Sequence, residues 1–150
     1  MAIGAPDLQT LLDERGILET INRYSQWLDA PGHEREFVDL FTDDAVIEIR
    51  GNYPRARRMQ GRAAVEAFVA AMRSANQYHK HITANSLITV NGNEAYAESS
   101  FIVLDRDVRG RPAPGSCGRY KDKLVKQKGR WRFKERVDEI EAINLEALGL

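Results

Sequence analysis

The chain has 150 residues, 43% hydrophobic and 29% charged, the balance of a globular protein with one core, so residues 1–150 are expected to form a single domain. Its 22 basic and 22 acidic side chains cancel, which leaves no global field to gather nucleic acid or an anionic membrane. No apolar run nears the ~20 residues of a membrane span, Met1 to Asp7 lack the basic-then-apolar layout of a secretory signal, and the single Cys117 cannot form an intramolecular disulfide, so a cytoplasmic protein is the expectation.

Asp7 to Leu28 carries leucine and isoleucine at three- and four-residue steps and reads as helical. Gly16 weakens its middle and is expected to divide it into a short and a longer helix, and Pro31-Gly32 ends it. His33 to Phe41 reads as a further helix, Ala45 to Ile49 as a strand closed by Gly51-Asn52, and Tyr53 to Gly61 as an irregular strand pair or a loop. The arginines of that segment, Arg55, Arg57 and Arg58, are expected to form a solvated rim. Ala63 to Ser74 is a helix with Val65, Phe68, Val69 and Met72 on one side. The period then switches from helix to sheet. Tyr78 to Val90 and Glu94 to Asp107 are strands joined by the hairpin turn Asn91-Gly92-Asn93. Gly110 to Gly115 is a Gly/Pro loop, and Cys117 to Gln127 and Arg130 to Ile140 are strands around Lys128-Gly129. The tail, with Ile143, Leu145, Leu148 and Leu150, is expected to form a short helix or to cross to a neighbour.

Helices followed by a run of long antiparallel strands define an α+β fold. A strongly curved, mostly antiparallel sheet wrapped around N-terminal helices makes a cone, and its mouth is a natural small-molecule cavity. No Gly-rich dinucleotide or phosphate loop is present. No Cys/His set has zinc-site spacing, so neither cofactor nor metal is expected.

Two of the three histidines lie in Tyr78-His79-Lys80-His81-Ile82-Thr83-Ala84-Asn85. In a strand His79, His81, Thr83 and Asn85 share one face, and imidazole can move protons near neutral pH. From this stretch alone, a solvated strand face is the simpler reading. Asp105 and Asp107 read most simply as a solvated strand end, with reach to the cavity mouth open for either.

Several signatures, in order, resemble SnoaL-like proteins of the nuclear-transport-factor-2-like superfamily. They are Arg23-Tyr24 with Asp29, Phe41-Thr42-Asp43-Asp44-Ala45, Gly61-Arg62, His81 with Asn85, Gly118-Arg119-Tyr120, and Gly129-Arg130-Trp131-Arg132-Phe133. The motifs are most similar to the branch of bile-acid 7α-dehydratase, scytalone dehydratase and lindane dehydrochlorinase, where an aspartate ending the first helices pairs with a strand histidine. That resemblance implies a cofactor-independent lyase acting on a small hydrophobic ring compound such as a steroid or polyketide. It implies His81 as base, Asp29 as its orienter, Tyr24 as hydrogen-bond donor and Arg136 as stabiliser of negative charge. Asn85, Trp27, Tyr120 and Phe101 are the expected substrate contacts. A ketosteroid-isomerase-like or polyketide-cyclase-like enzyme, or a binding module without chemistry, stays open. Asp29 also fits a loop cap, Tyr24 a core aromatic, and Arg136 a surface strand position. Trp131 and Phe133 have the opposite strand parity to Arg136, so either the strand bulges or the apolar pair covers an interface. A homodimer or homotrimer is expected on the resemblance.

Overall fold

The computed structural model describes residues 6–51, 53–75 and 77–147; Asn52, Leu148 and Leu150, which figured in the expected turn and tail, lie outside them. Its elements are α1 (Leu8–Asp29), α2 (Glu34–Val38), β1 (Phe41–Gly51), β2 (Arg57–Gln60), α3 (Arg62–Ala75), β3 (Lys80–Asn91), β4 (Glu94–Arg106), β5 (Pro112–Gln127) and β6 (Arg130–Ile143). The six strands form one mixed sheet in the order β2-β1-β6-β5-β4-β3. The β1–β6 pair is parallel and the other pairs are antiparallel. The helices pack on the concave face, with Ile17, Ile21, Tyr24 and Leu28 of α1 meeting Phe37, Phe41, Leu124 and Phe133 in one core. No helix among the described residues is long and apolar enough to cross a membrane.

The structure departs from the sequence pattern where contacts distant in the chain outweigh local preference. Helix α1 runs through Gly16 without a break, capped at its start by Asp7, whose side chain accepts from the Thr10 amide. The glycine serves a close approach. A Cβ there would lie 3.0 Å from Cδ1 of Trp131, whose indole N–H donates to the buried Asp13 at 3.0 Å and whose carbonyl accepts from Thr20 at 2.9 Å. Helix α2 stops at Val38, short of the expected Phe41. Phe41 instead opens β1 opposite Phe133, because β6 supplies hydrogen-bond partners that a short isolated helix lacks. The segment 112–115, expected in a loop, extends β5 along β4. β6 pairs with β5 only from Ser116 onward, so Pro112 and Pro114 sit where no amide is needed on that side.

The parity conflict in β6 is resolved by a bulge. Lys123 pairs with Glu135 and Leu124 with Phe133, leaving Lys134 as the extra residue. Trp131 and Phe133 therefore face the core together with Arg136 and Asp138, and all four are buried. This excludes Trp131 and Phe133 as an exposed interface. The large apolar side chains left exposed are elsewhere, among them Leu8, Leu11 and Leu12 on α1 and Ile82, Leu87 and Tyr96 on the sheet.

Gly118 lies on β5 at a register shift against β6. A Cβ there would fall 2.0 Å from the carbonyl oxygen of Glu139, a backbone atom that cannot swing aside. The Gly118→Ala substitution is expected to lower stability by about 1–3 kcal/mol, as overpacking does in a well-packed core, measured as a drop in the urea midpoint at unchanged slope.

Candidate functional site

The last turn of α1 is held by α3. Arg73 donates to the carbonyls of Trp27 (2.6 Å), Leu28 (2.7 Å) and Ala30 (2.7 Å) and pairs with Glu34 at 2.6 Å. These contacts satisfy carbonyls that a helix C-terminus leaves free, and Arg73 holds the Glu34 carboxyl down at about 2. The clamp fixes Asp29, the final residue of α1. Asp29 accepts twice from His81: from Nδ1–H at 2.5 Å and from the backbone N–H at 2.9 Å. Both side chains are largely buried, at 7% and 10% exposure. A carboxylate on Nδ1 sets the tautomer and leaves Nε2 as the basic nitrogen.

His81 lines a cavity of about 320 Å³, at the lower end of the range for small-molecule sites. Leu28, Phe68, Met72, Phe101, Val103 and Ile140 give it apolar walls, and Tyr24, Tyr120 and Asp138 add polar groups. Phe101 and Tyr120 stack at 4.4 Å between ring centroids. Tyr24 packs among Phe37, Phe41, Tyr120 and Phe133, and its burial raises the phenol pKa, so the hydroxyl stays protonated. Five residues along a helix is about 140° of rotation. Tyr24 and Asp29 accordingly leave α1 in different directions, and it is His81, not Asp29, that shares the cavity wall with Tyr24.

Three of the expected site residues lie elsewhere. Asn85 has φ 56° and occupies a bulge in β3, where the register shifts between Ala84 and Leu87; the bulge flips the parity, so Asn85 is exposed and Ser86 turns inward. Trp27 lies outside the cavity, stacked on His33 at 5.9 Å with the Arg23 guanidinium over its ring. Arg136 does point inward, but it is fully buried and forked onto Asp122 at 2.8 and 2.7 Å. Its guanidinium is enclosed by the rings of Tyr24, Tyr120 and Phe133, 4.0–4.2 Å away, and does not line the cavity.

The structure also gathers residues that were not among the expected site residues. His79 Nδ1 contacts Asp105 Oδ1 and, like His81, lines the cavity. Asp105 is only 3% exposed, not a solvated strand end; inward alternation along β4 buries it, whereas Asp107 serves the following turn by accepting from the Arg109 and Arg111 amides. A Cβ on Gly115 would strike Asp105, so the glycine leaves room for this carboxyl. Asp138, buried two residues beyond Arg136, has one carboxylate oxygen without a partner among the described residues. Burial, with Asp122 adding to it against the pull of Arg136, pushes its carboxyl up to about 7. Strand alternation through the β6 bulge was the only sequence signal for Asp138. Arg55, Arg57 and Arg58 are exposed, as expected of a solvated rim, but Arg55 and Arg57 also line the cavity, while Arg58 turns to the opposite face and donates to Gln60 at 3.0 Å. No three His, Cys, Asp or Glu side chains among the described residues converge as metal ligands.

A family model described as a SnoaL-like domain matches residues 9–137. A comparison with curated proteins finds no match. Among solved structures, a Novosphingobium aromaticivorans protein described as a candidate scytalone dehydratase is 26% identical, with TM-score 0.75 over 90% of this chain and 88% of that one. Two further proteins of that organism, each 22% identical, share the fold. One is the β subunit of a candidate aromatic-ring-hydroxylating dioxygenase, with TM-score 0.77 over 93% of this chain and 95% of that one. The other is a nuclear-transport-factor-2-like protein with a cystatin-like fold, with TM-score 0.78 over 97% of each chain.

The buried charges around the cavity make two predictions. Asp122→Ala leaves the Arg136 guanidinium buried and unpaired and is expected to cost about 3–5 kcal/mol in chemical denaturation. Asp138, with its carboxyl raised to about 7, binds a proton more tightly in the folded than in the unfolded chain, so its contribution to stability falls as pH rises from about 4 to about 7. Asp138→Asn removes that slope. Its stability relative to wild type is expected to be higher at pH 8 than at pH 5, read from urea midpoints at both pH values.

Proposed function

Because this chain belongs to the SnoaL-like domain family, we propose that it is a lyase of the dehydratase type that eliminates a leaving group β to a carbonyl on a small ring compound. The observation that carries the reading is the hydrogen bond from His81 Nδ1 to Asp29 beside an apolar cavity. His81 Nε2 takes the proton on the carbon next to the carbonyl. Asp29 holds the ring's orientation and stabilises the imidazolium that forms. Tyr24, kept protonated by its burial, donates to the enolate oxygen, where negative charge develops. The enolate then expels the hydroxyl at the β carbon, and His81 returns its proton to it. Water leaves, and the imidazole is neutral again with no net proton gained.

The apolar walls, with the Phe101–Tyr120 stack among them, suit a flat hydrophobic ring, and excluding water strengthens each of these polar contacts. The likeness to a protein described as a candidate scytalone dehydratase supports a fused bicyclic β-hydroxy ketone as the first substrate to try. Enzyme and 3-hydroxy-1-tetralone are expected to give fluorescent 1-naphthol, and His81→Gln is expected to lower kcat by about 10²–10⁴-fold. Asp29→Asn is expected to lower it as well, through the lost tautomer control, with the melting temperature showing that each variant is folded. Full activity in either variant sinks the assignment.

A further inference from the structure

The mouth of the cavity carries charge that the elimination chemistry does not use. β2 pairs with β1 so that Arg57 lies opposite Ile49 and Met59 opposite Ile47. Alternation puts Arg57 and Met59 on one face of β2 and Arg58 and Gln60 on the other. Met59 packs on the core, so the face that Arg57 shares is the concave one. Its guanidinium stands 5.7 Å from the centroid of the Phe68 ring, and Phe68 is itself a wall of the cavity. Arg55, two residues earlier, lines the same mouth with Tyr53.

Neither arginine has an ion-pair partner among the described residues; other arginines, such as Arg58, lack one too, but Arg55 and Arg57 are the ones that line this cavity. The acidic groups that line the cavity are Asp105 and Asp138. Asp105 is engaged by His79, and the buried Asp138 carboxyl is raised toward neutrality. The chain's net charge is zero, so the excess of positive charge here is local.

We propose that Arg55 and Arg57 form an anion subsite at the cavity mouth, so that the ligand is an amphiphile: a hydrophobic ring in the apolar interior carrying a carboxylate or similar anionic arm at the entrance. Guanidinium groups bind carboxylates through paired, charge-assisted hydrogen bonds. Next to an apolar cavity these are screened less than on an open surface. The inference rests on reading the cavity as a ligand site and is independent of the reaction proposed for it.

Calorimetric titration with two probes of nearly equal shape tests it: 2-naphthoate and the uncharged 2-acetylnaphthalene. The naphthoate is expected to bind about tenfold more tightly at low ionic strength, with the gap closing as salt is added. The double variant Arg55→Gln, Arg57→Gln is expected to bind both probes as wild type binds the ketone. Arg57→Glu, on an exposed strand, is expected to favour the ketone. Equal affinities in wild type, or a preference that survives the double variant, overturn the subsite. Failure of both probes to bind overturns the cavity as a ligand site and the subsite with it. The preference found in a protein that produces no 1-naphthol leaves the subsite standing and counts against the elimination chemistry alone.

Discussion

The concave side of this fold is arranged around a guanidinium that has no contact with solvent. Arg136 gains a place in the interior only because Asp122, directly opposite on β5, takes two of its N–H groups, and because three aromatic rings surround it. A buried charge without such a partner costs several kcal/mol. The demand is met by elements far apart in sequence: Tyr24 from α1, Tyr120 and Asp122 from β5, Phe133 from β6. Each must be in register for the charge to be tolerated. The bulge at Lys134 is what allows Phe133 and Arg136 to face the same way. The sheet's register and the seat of α1 are thus tied to one polar contact, and the floor of the cavity is built upon it.

Against that floor, the cavity wall shows two histidine–aspartate contacts that differ in how they are held. Asp29 grips His81 by both ring and backbone, and Asp29 is itself fixed because Arg73 gathers the carbonyls at the end of α1. Orientation is therefore transmitted from α3, through the last turn of α1, to the imidazole. His79 meets Asp105 just before β3 begins, with Gly115 making room behind the carboxyl. Both imidazoles border the cavity, 6.3 Å apart between ring centroids. A ligand in the cavity would meet these imidazoles on its wall and Arg55 and Arg57 at its mouth.

Most of the fold was legible in the sequence because burial leaves a periodic trace. The switch from helical to alternating patterning near residue 78 and the Asn91-Gly92-Asn93 turn located the helices and the long hairpin. The misread positions share a cause. Gly16 carries a low helix propensity, but its role is to admit the Trp131 ring. Phe41 belongs to a strand because of a parallel partner over ninety residues away in the chain. Asn85 was placed by unbroken alternation, and a single positive-φ residue inverted the face. Asp105 and Asp138 look like any acidic residue of an amphipathic strand. Only the closing of the sheet makes them interior.

The sequence by itself determined most of the helices and long strands, the α+β class and the family, since these follow from local periodicity and from short motifs that travel intact with the fold. The tertiary structure alone decided which side chains border the cavity: that Arg136 is spent on Asp122, that Trp27 and Asn85 face away, that Asp105 and Asp138 face in, and that the exposed Arg55 and Arg57 stand at its mouth. The reason is the period of two in a β-strand. One bulge reverses every side chain beyond it, and bulges are placed by pairing with distant strands, which a linear pattern does not encode.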